Sequence, residues 1–143
     1  MVNADAIVTQ RLRLLAEYLD ELRLFQNEAI SFQVYRDDVT LRRAVERDLQ
    51  VATEVCLDIG RRIIALEGFR YADDNQDVFR ILAAEQIVSR QLLEPLLSMA
   101  RFRNLVVHNY AKIDDEIVYG ILKKRLGDFD AYAETIRIYL TGD

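Results

Sequence analysis

The residues best suited to chemistry lie in one short segment, Arg103 to Tyr110, which reads R-N-L-V-V-H-N-Y. It contains His108, the only histidine of the chain, five positions after Arg103. An imidazole accepts and donates protons near neutral pH, and a guanidinium holds a phosphoryl oxygen through a fork of N–H donors. The interval from Pro95 to Ile113 also contains no Asp or Glu. This combination predicts chemistry on a phosphodiester.

Composition gives little support to other kinds of site. One His and one Cys cannot supply the usual N/S ligand set of zinc, and there is neither a Gly-rich phosphate loop nor an H-E-x-x-H pattern. We therefore expect no metal and no cofactor. Cys56 falls on an apolar helical stripe, which favours a packed thiol over a nucleophile. We interpret Asp73, Asp74 and Asp77 as loop and helix-start residues rather than cation ligands.

The overall charge limits the classes of partner. A net charge of −5 argues against a protein that coats nucleic acid, because such proteins depend on many cations. An acidic protein can still cut RNA if its cations are concentrated in one cleft, and the acid excess can alternatively favour a cationic partner. No run approaches the roughly 20 apolar residues that span a bilayer. Met1 to Arg13 has no signal-peptide core, so we expect a cytoplasmic protein.

Apolar periodicity predicts helices throughout and no sheet. The predicted helices run from about Asn3 to Phe25, from the candidate caps Asp37, Asp38 and Thr40 to Glu67, from about Gln76 to Gln86, from Ser89 through the motif, from Asp114 to Gly127, and from Asp128 onward. The segment 27–35 either continues the first helix or forms a short piece, and 69–76 is the main loop. These elements predict an all-α, antiparallel up-down bundle of four main helices plus short ones, in one domain spanning 1–143.

Some positions carry specific expectations. Gly60 is either tolerated within its helix or allows a close approach of a neighbour, and Gly68 suits the helix end. Pro95 predicts a kink or a restart near Glu94, because proline removes a helical hydrogen bond. Leu66 and Ile117 are expected to face inward with the apolar stripes of their helices.

Helical geometry limits how the motif can work. Asn104 and His108 are four residues apart and share a helix face. Arg103 and His108 are separated by about 140° around a helix, which a long Arg side chain bridges only in part. A two-fold dimer would bring two such helices together and pool two Arg and two His in one cleft. Tyr110 lies at the helix end, where its hydroxyl can face solvent or the same cleft.

The segment M-A-R-F-R-N-L-V-V-H-N-Y, followed by A-K-I-D, resembles the signature of HEPN-domain toxins of the HepT type. That signature is an Arg, usually followed by a polar residue, then a short spacer, a His, any residue and a Tyr. Arg103, Asn104, His108 and Tyr110 match it. The pieces F-R-I-L-A-A-E and D-D-E-I-V-Y extend the resemblance more loosely along the chain, whereas Pro95 departs from the pattern.

The resemblance implies a homodimeric, metal-independent ribonuclease, the toxin of a prokaryotic type VII-like toxin–antitoxin pair, with an HEPN-like fold. In such a site His108 acts as general base on the ribose 2′-OH or as general acid at the leaving 5′-oxygen. Arg103 binds the scissile phosphate and stabilises its developing charge. Asn104 orients the histidine or the phosphate, and the expected product is a 2′,3′-cyclic phosphate.

The resemblance also implies a protein partner, a small nucleotidyltransferase antitoxin of the MntA type. That partner transfers AMP onto the motif tyrosine, here Tyr110. Added phosphates beside His108 would occupy the cleft and repel the RNA backbone.

Two alternatives remain open: a catalytically inactive helical interaction module, and a nucleotide-binding dimer that senses rather than cuts. The intact Arg103–His108 pair favours the nuclease. Arg101 and Lys112 are interpreted as solvated charges with a modest role in attracting RNA. The basic run 123–125 suits the dipole at its helix end, and RNA docking there is a weaker hypothesis.

Overall fold

The computed structural model describes residues 5–142, which form seven α-helices and one 3₁₀ turn. The α-helices are α1 (Ala6–Glu28), α2 (Phe32–Asp37), α3 (Val39–Glu67), α4 (Asn75–Ala84), α5 (Arg90–His108), α6 (Asp115–Lys124) and α7 (Leu126–Thr141), and the 3₁₀ turn, Tyr110–Lys112, lies between α5 and α6. These residues contain no strand, and the prediction of an all-α helical bundle is confirmed. Asn3, where the first helix was predicted to begin, lies outside the described residues.

Local sequence signals explain most helix boundaries. The side chains of Asp5, Ser31, Asp38, Asp74, Ser89 and Asp114 each accept a hydrogen bond from a backbone N–H in the first turn of the helix that follows. Gly68 ends α3 in the left-handed region, with φ of 71°, which glycine adopts without steric cost. The caps predicted at Asp38, Ser89 and Asp114 and the helix end at Gly68 are therefore confirmed.

The longest helix, α3, is the centre of the bundle. It contacts every other α-helix, and its most extensive packing is against α1. Apolar residues of α1 recur every three or four positions and are all buried, namely Val8, Leu12, Leu15, Leu19 and Leu22. One continuous core joins them to the apolar stripes of α3 and α7. None of the helices within residues 5–142 is long and apolar enough to cross a membrane.

Gly60 allows α3 to lie close to α4. A Cβ atom at this position would lie 2.6 Å from Val78 Cγ1 and 3.3 Å from Leu82 Cδ1. Val78 is fully buried and β-branched, so it has little freedom to move aside. Of the two interpretations of Gly60, close approach is the one that the structure supports.

Pro95 does not break the motif helix. A restart near Glu94 was one expectation from sequence, and it is wrong, because α5 runs unbroken from Arg90 to His108. The proline removes one helical hydrogen bond, whereas continuing the helix buries Leu96 and Met99 in the core. The burial of this apolar face outweighs one missing bond.

Four further expectations are wrong. Gly127 does not end a helix and Asp128 does not begin one, because α6 stops at Lys124 and α7 starts at Leu126, whose side chain is buried. Leu66 is 37% exposed in the last turn of α3, and Ile117 is 61% exposed on α6. Leu66 is the residue before the last one of α3, and the side chain of Ile117 lines a groove beside α5, so apolar spacing alone did not predict the exposure of either.

The close approach at Gly60 gives a stability prediction. Gly60→Ala should lower the free energy of unfolding by about 1–2 kcal/mol, because overpacking against Val78 outweighs the gain in helix propensity. Gly120→Ala, on α6, is the matched control, since nothing lies within 4 Å of a Cβ there. It should be neutral or stabilising by up to about 1 kcal/mol. Urea denaturation measures both variants, and equal stabilisation by the two would contradict the packing argument.

Candidate functional site

The motif occupies the end of α5, where the helix leaves the core. The buried residues of α5 end at Ala100, whereas Val107 and His108 in its last turn are exposed. The chain then passes through Asn109 into the 3₁₀ turn that begins at Tyr110. The buried part of α5 therefore anchors a helix end whose polar side chains are accessible.

Arg103 is held in place by two hydrogen bonds. Its Nε donates to Glu54 Oε2 of α3 at 3.0 Å, and its Nη1 donates to Asn104 Oδ1 at 3.2 Å. Gln50 donates to the same Glu54 oxygen at 3.1 Å. The Arg103 side chain is 21% exposed, and its remaining N–H groups are free of these bonds. The guanidinium is thus oriented but still accessible.

Asn104 belongs to the surroundings of Arg103. Its Oδ1 accepts a second hydrogen bond, from Asn75 Nδ2 at the start of α4, at 2.9 Å. Asn75 in turn accepts a hydrogen bond from Arg61 of α3. A cavity of about 310 Å³ lies at this junction of three helices, lined by Glu54, Leu57, Asp58, Arg61, Asn75 and Arg103.

His108 does not join this network. It is the last residue of α5 and is exposed, and its ring makes no hydrogen bond with any residue between 5 and 142. Asn104 shares a helix face with His108, as its spacing predicts, but its amide contacts Arg103 and Asn75 instead. Within one chain, the structure brings Arg103 and Asn104 together and leaves His108 apart.

Tyr110 is exposed but has one specific partner. Its side chain is on the surface, with 52% of the residue exposed, and its hydroxyl donates to the carboxylate of Glu46 on α3. Glu46 itself is buried. This hydrogen bond to a carboxylate raises the pKa of Tyr110 above its ordinary value.

The motif is free of acidic residues in sequence but not in space. Glu46 and Glu54, both on α3, contact Tyr110 and Arg103 respectively. Sequence reasoning missed these two residues, and it also missed Arg61 and Asn75. The one available signal was the spacing of polar positions 46, 50, 54 and 58, four residues apart, along a helix whose apolar stripe was recognised.

The two weaker candidates lie away from Arg103. Arg101 is exposed and donates to Glu94 Oε1 at 2.7 Å and to Ser98. Its side chain lines a groove of about 710 Å³ between α5 and α6, on a different side of α5 from Arg103. Lys112 is exposed in the 3₁₀ turn, two residues after Tyr110. In the basic run, Lys123 donates to the carbonyls of residues 26 and 29, at 2.7 and 2.9 Å, so its charge stabilises the end of α1.

The acidic loop before α4 has a structural role. Asp74 accepts from the backbone N–H of Asp77, and Arg70 donates to both oxygens of Asp77 at 2.6 and 2.8 Å. Arg70 holds the pKa of Asp77 well below its usual range. In the described part of the chain, no three His, Cys, Asp or Glu side chains are grouped to hold a metal ion.

Cys56, on α3, is buried, and burial raises the pKa of its thiol.

Comparison with known proteins places these features in a family. Residues 15–136 match the family described as "Ribonuclease HepT-like". The chain belongs to the HepT-like family. The resemblance inferred from the motif is therefore confirmed over most of the sequence.

Curated relatives of this HepT-like chain are nucleases by name. It is 28% identical to the "mRNA nuclease HepT" of Shewanella oneidensis over 103 residues, which are 72% of this chain and 77% of that protein. It is 29% identical to the "tRNA nuclease HepT" of Aphanizomenon flos-aquae over 141 residues, or 98% and 95% of the two chains.

Solved structures share the fold. The tri-AMPylated HEPN toxin of Shewanella oneidensis, solved in complex with its MNT antitoxin, superposes with a TM-score of 0.86 at 22% identity, covering 94% of this chain and 98% of that one. YutE of Bacillus subtilis, a cytosolic protein of unknown function, superposes with a TM-score of 0.78 at 18% identity, covering 99% and 94%. At these identities the likeness establishes the HEPN-like fold.

Proposed function

We propose that this HepT-like chain is the ribonuclease toxin of a type VII-like toxin–antitoxin pair. The observation that carries the proposal is the end of α5, where an oriented Arg103 precedes an exposed His108 by five residues. Membership of the HepT-like family and the nuclease names of two relatives support the same activity. We propose that residues 1–143 form the one domain that carries this activity.

The proposed reaction needs only side chains of this chain. His108 removes the proton from a ribose 2′-OH as that oxygen attacks the adjacent phosphorus, or it protonates the leaving 5′-oxygen. The new O2′–P bond forms as the P–O5′ bond breaks, and O5′ takes a proton from an imidazolium or from water, so the products are a 2′,3′-cyclic phosphate and a 5′-hydroxyl. Arg103 stabilises the negative charge that develops on the phosphoryl oxygens, and Asn104 keeps Arg103 oriented. We propose that no metal ion takes part.

The separation of the two groups supports the proposal of a homodimer. Arg103 points toward α3, and His108 lies about 7.5 Å further along the axis of α5. We propose that a two-fold axis places His108 of one protomer beside Arg103 of the other. Exposed Val107, between the two residues on the helix surface, is available for that contact.

The proposal predicts the effect of removing each group. Arg103→Ala and His108→Ala should each lower the rate of RNA cleavage by about 100-fold or more, because each removes a separate contribution to the transition state. Arg103 is near the surface, and Glu54 keeps its bond from Gln50, so both variants should retain the fold. The cleavage rate is measured on end-labelled RNA with a chelator present, and the products are analysed for the cyclic phosphate. Circular dichroism checks that each variant is folded.

The control is Arg90→Ala, which removes an exposed arginine at the opposite end of α5 and should cleave RNA normally. In cells, induction of the wild-type gene alone should arrest growth, and His108→Ala should restore it. Equal toxicity of the wild-type and His108→Ala genes would contradict the nuclease activity. Loss of cleavage when a chelator is added would contradict the metal-independent mechanism. Tight nucleotide binding with RNA left intact would instead identify the sensing module.

We further propose that a nucleotidyltransferase antitoxin of the MntA type neutralises this toxin by transferring AMP to Tyr110. The exposure of Tyr110 and its position two residues after His108 support this site. The related structure named above contains an AMPylated toxin with an MNT antitoxin. A negatively charged AMP group beside His108 would repel the RNA backbone.

Mass spectrometry tests this modification. Co-expression with a nucleotidyltransferase encoded by the neighbouring gene should add AMP to the peptide that contains Tyr110. Tyr110→Phe should abolish the added mass on that peptide, because only the phenol oxygen is the acceptor. An unmodified Tyr110 peptide from an effectively neutralised toxin would overturn this mechanism.

A further inference from the structure

We infer that Arg61 is a second phosphate-binding residue, which holds the RNA backbone next to the phosphate that Arg103 binds. This inference rests on the proposed ribonuclease function and extends it to the path of the RNA strand. The cavity of about 310 Å³ between α3, α4 and α5 is the place where the neighbouring phosphate would lie.

The hydrogen-bond network ties the two guanidinium groups to one another. Arg61 donates to Asn75 Oδ1, Asn75 donates to Asn104 Oδ1 at 2.9 Å, and the same oxygen accepts from Arg103 at 3.2 Å. Two amides therefore fix the positions of two cations that line one cavity. Side chains held in this way lose less conformational entropy when they bind a ligand.

Charge pairing distinguishes Arg61 from most arginines around it. Arg103 faces Glu54, and Arg62 pairs with Asp5 at 3.1 Å. Within residues 5–142, Arg61 forms no salt bridge, and its one side-chain partner is the neutral amide of Asn75.

The two carboxylates in the cavity lie beside other cations. Glu54 accepts from Arg103, and Asp58 lies 3.9 Å from Arg11. Among residues 5–142, Arg61 is thus the guanidinium of this cavity that has no carboxylate oxygen within 4.0 Å. A guanidinium with free N–H donors and no carboxylate partner is suited to a phosphate.

The position of the cavity fits an extended single strand. Arg103 would contact the scissile phosphate at the end of α5, and Arg61 lies across the cavity on α3. Contacts to backbone phosphates fix the register of a strand without reading its sequence. Arg61 would therefore strengthen binding of any RNA that enters the site, whatever bases it carries.

RNA binding measured in a cleavage-deficient background tests the inference. The probe is a fluorescein-labelled oligoribonucleotide of about 16 nucleotides, titrated with His108→Ala and with the double variant His108→Ala/Arg61→Ala. The double variant should bind roughly 5–20-fold more weakly at moderate salt. The slope of log K against log salt should also decrease by about 0.7, which corresponds to one phosphate contact on a single strand.

A matched control removes an exposed arginine elsewhere. His108→Ala/Arg13→Ala loses the same charge from α1 and should keep the affinity and salt slope of His108→Ala. Arg61 is exposed, so its removal should leave the fold intact by circular dichroism.

Two failures are distinguishable. If the wild type cleaves RNA and the Arg61 and Arg13 variants bind alike, Arg61 does not bind phosphate and the inference is overturned. If the wild type neither cleaves nor binds RNA, the proposed function itself fails.

Discussion

An α-helix turns by about 100° per residue, and this constraint decides how Arg103 and His108 can work together. Their spacing of five residues places them on different sides of α5, and the structure keeps that separation, because α5 is unbroken to its last residue. A local unwinding between them would bring them together, but residues 103–108 remain helical. This separation is the reason for our proposal that a phosphate which contacts both groups lies between two copies of this helix end.

The other half of the site is supplied by α3. This helix uses one side for the core, where its apolar residues contact every other α-helix, and another side for Glu46, Glu54 and Arg61. The close approach at Gly60 fixes α3 against α4. Gly60 is the residue before Arg61, and α4 begins with Asn75, the hydrogen-bond partner of Arg61. Packing of the core thus determines the distances among the polar groups of the site.

The sequence predicted elements with strong local signals and failed where distant parts of the chain decide the outcome. The caps at Asp38 and Asp114 and the end at Gly68 are local, because each depends on neighbouring backbone groups. The exposure of Ile117 depends on which helix lies opposite it, and periodicity does not report that.

In the candidate site, too, the local motif was predictable from the sequence and the contacts with distant residues were not. The motif located Arg103, Asn104, His108 and Tyr110, whereas the acidic partners on α3 lie 49 residues from Arg103 and 64 from Tyr110 in sequence. A window free of acidic residues therefore did not predict a site free of carboxylates. The pairing of α3 with α5 is a tertiary contact, and the local pattern of a single sequence does not predict which helices pack together.

The central claim is that the reacting phosphate lies between Arg103 of one protomer and His108 of the other. Complementation tests it most directly: purified Arg103→Ala and His108→Ala proteins are mixed, exchanged under mild denaturation and assayed on labelled RNA. A shared site predicts that the mixture recovers roughly a quarter of wild-type cleavage, because half of the random dimers contain one intact composite site of two. A mixture as inactive as its two components would contradict the account.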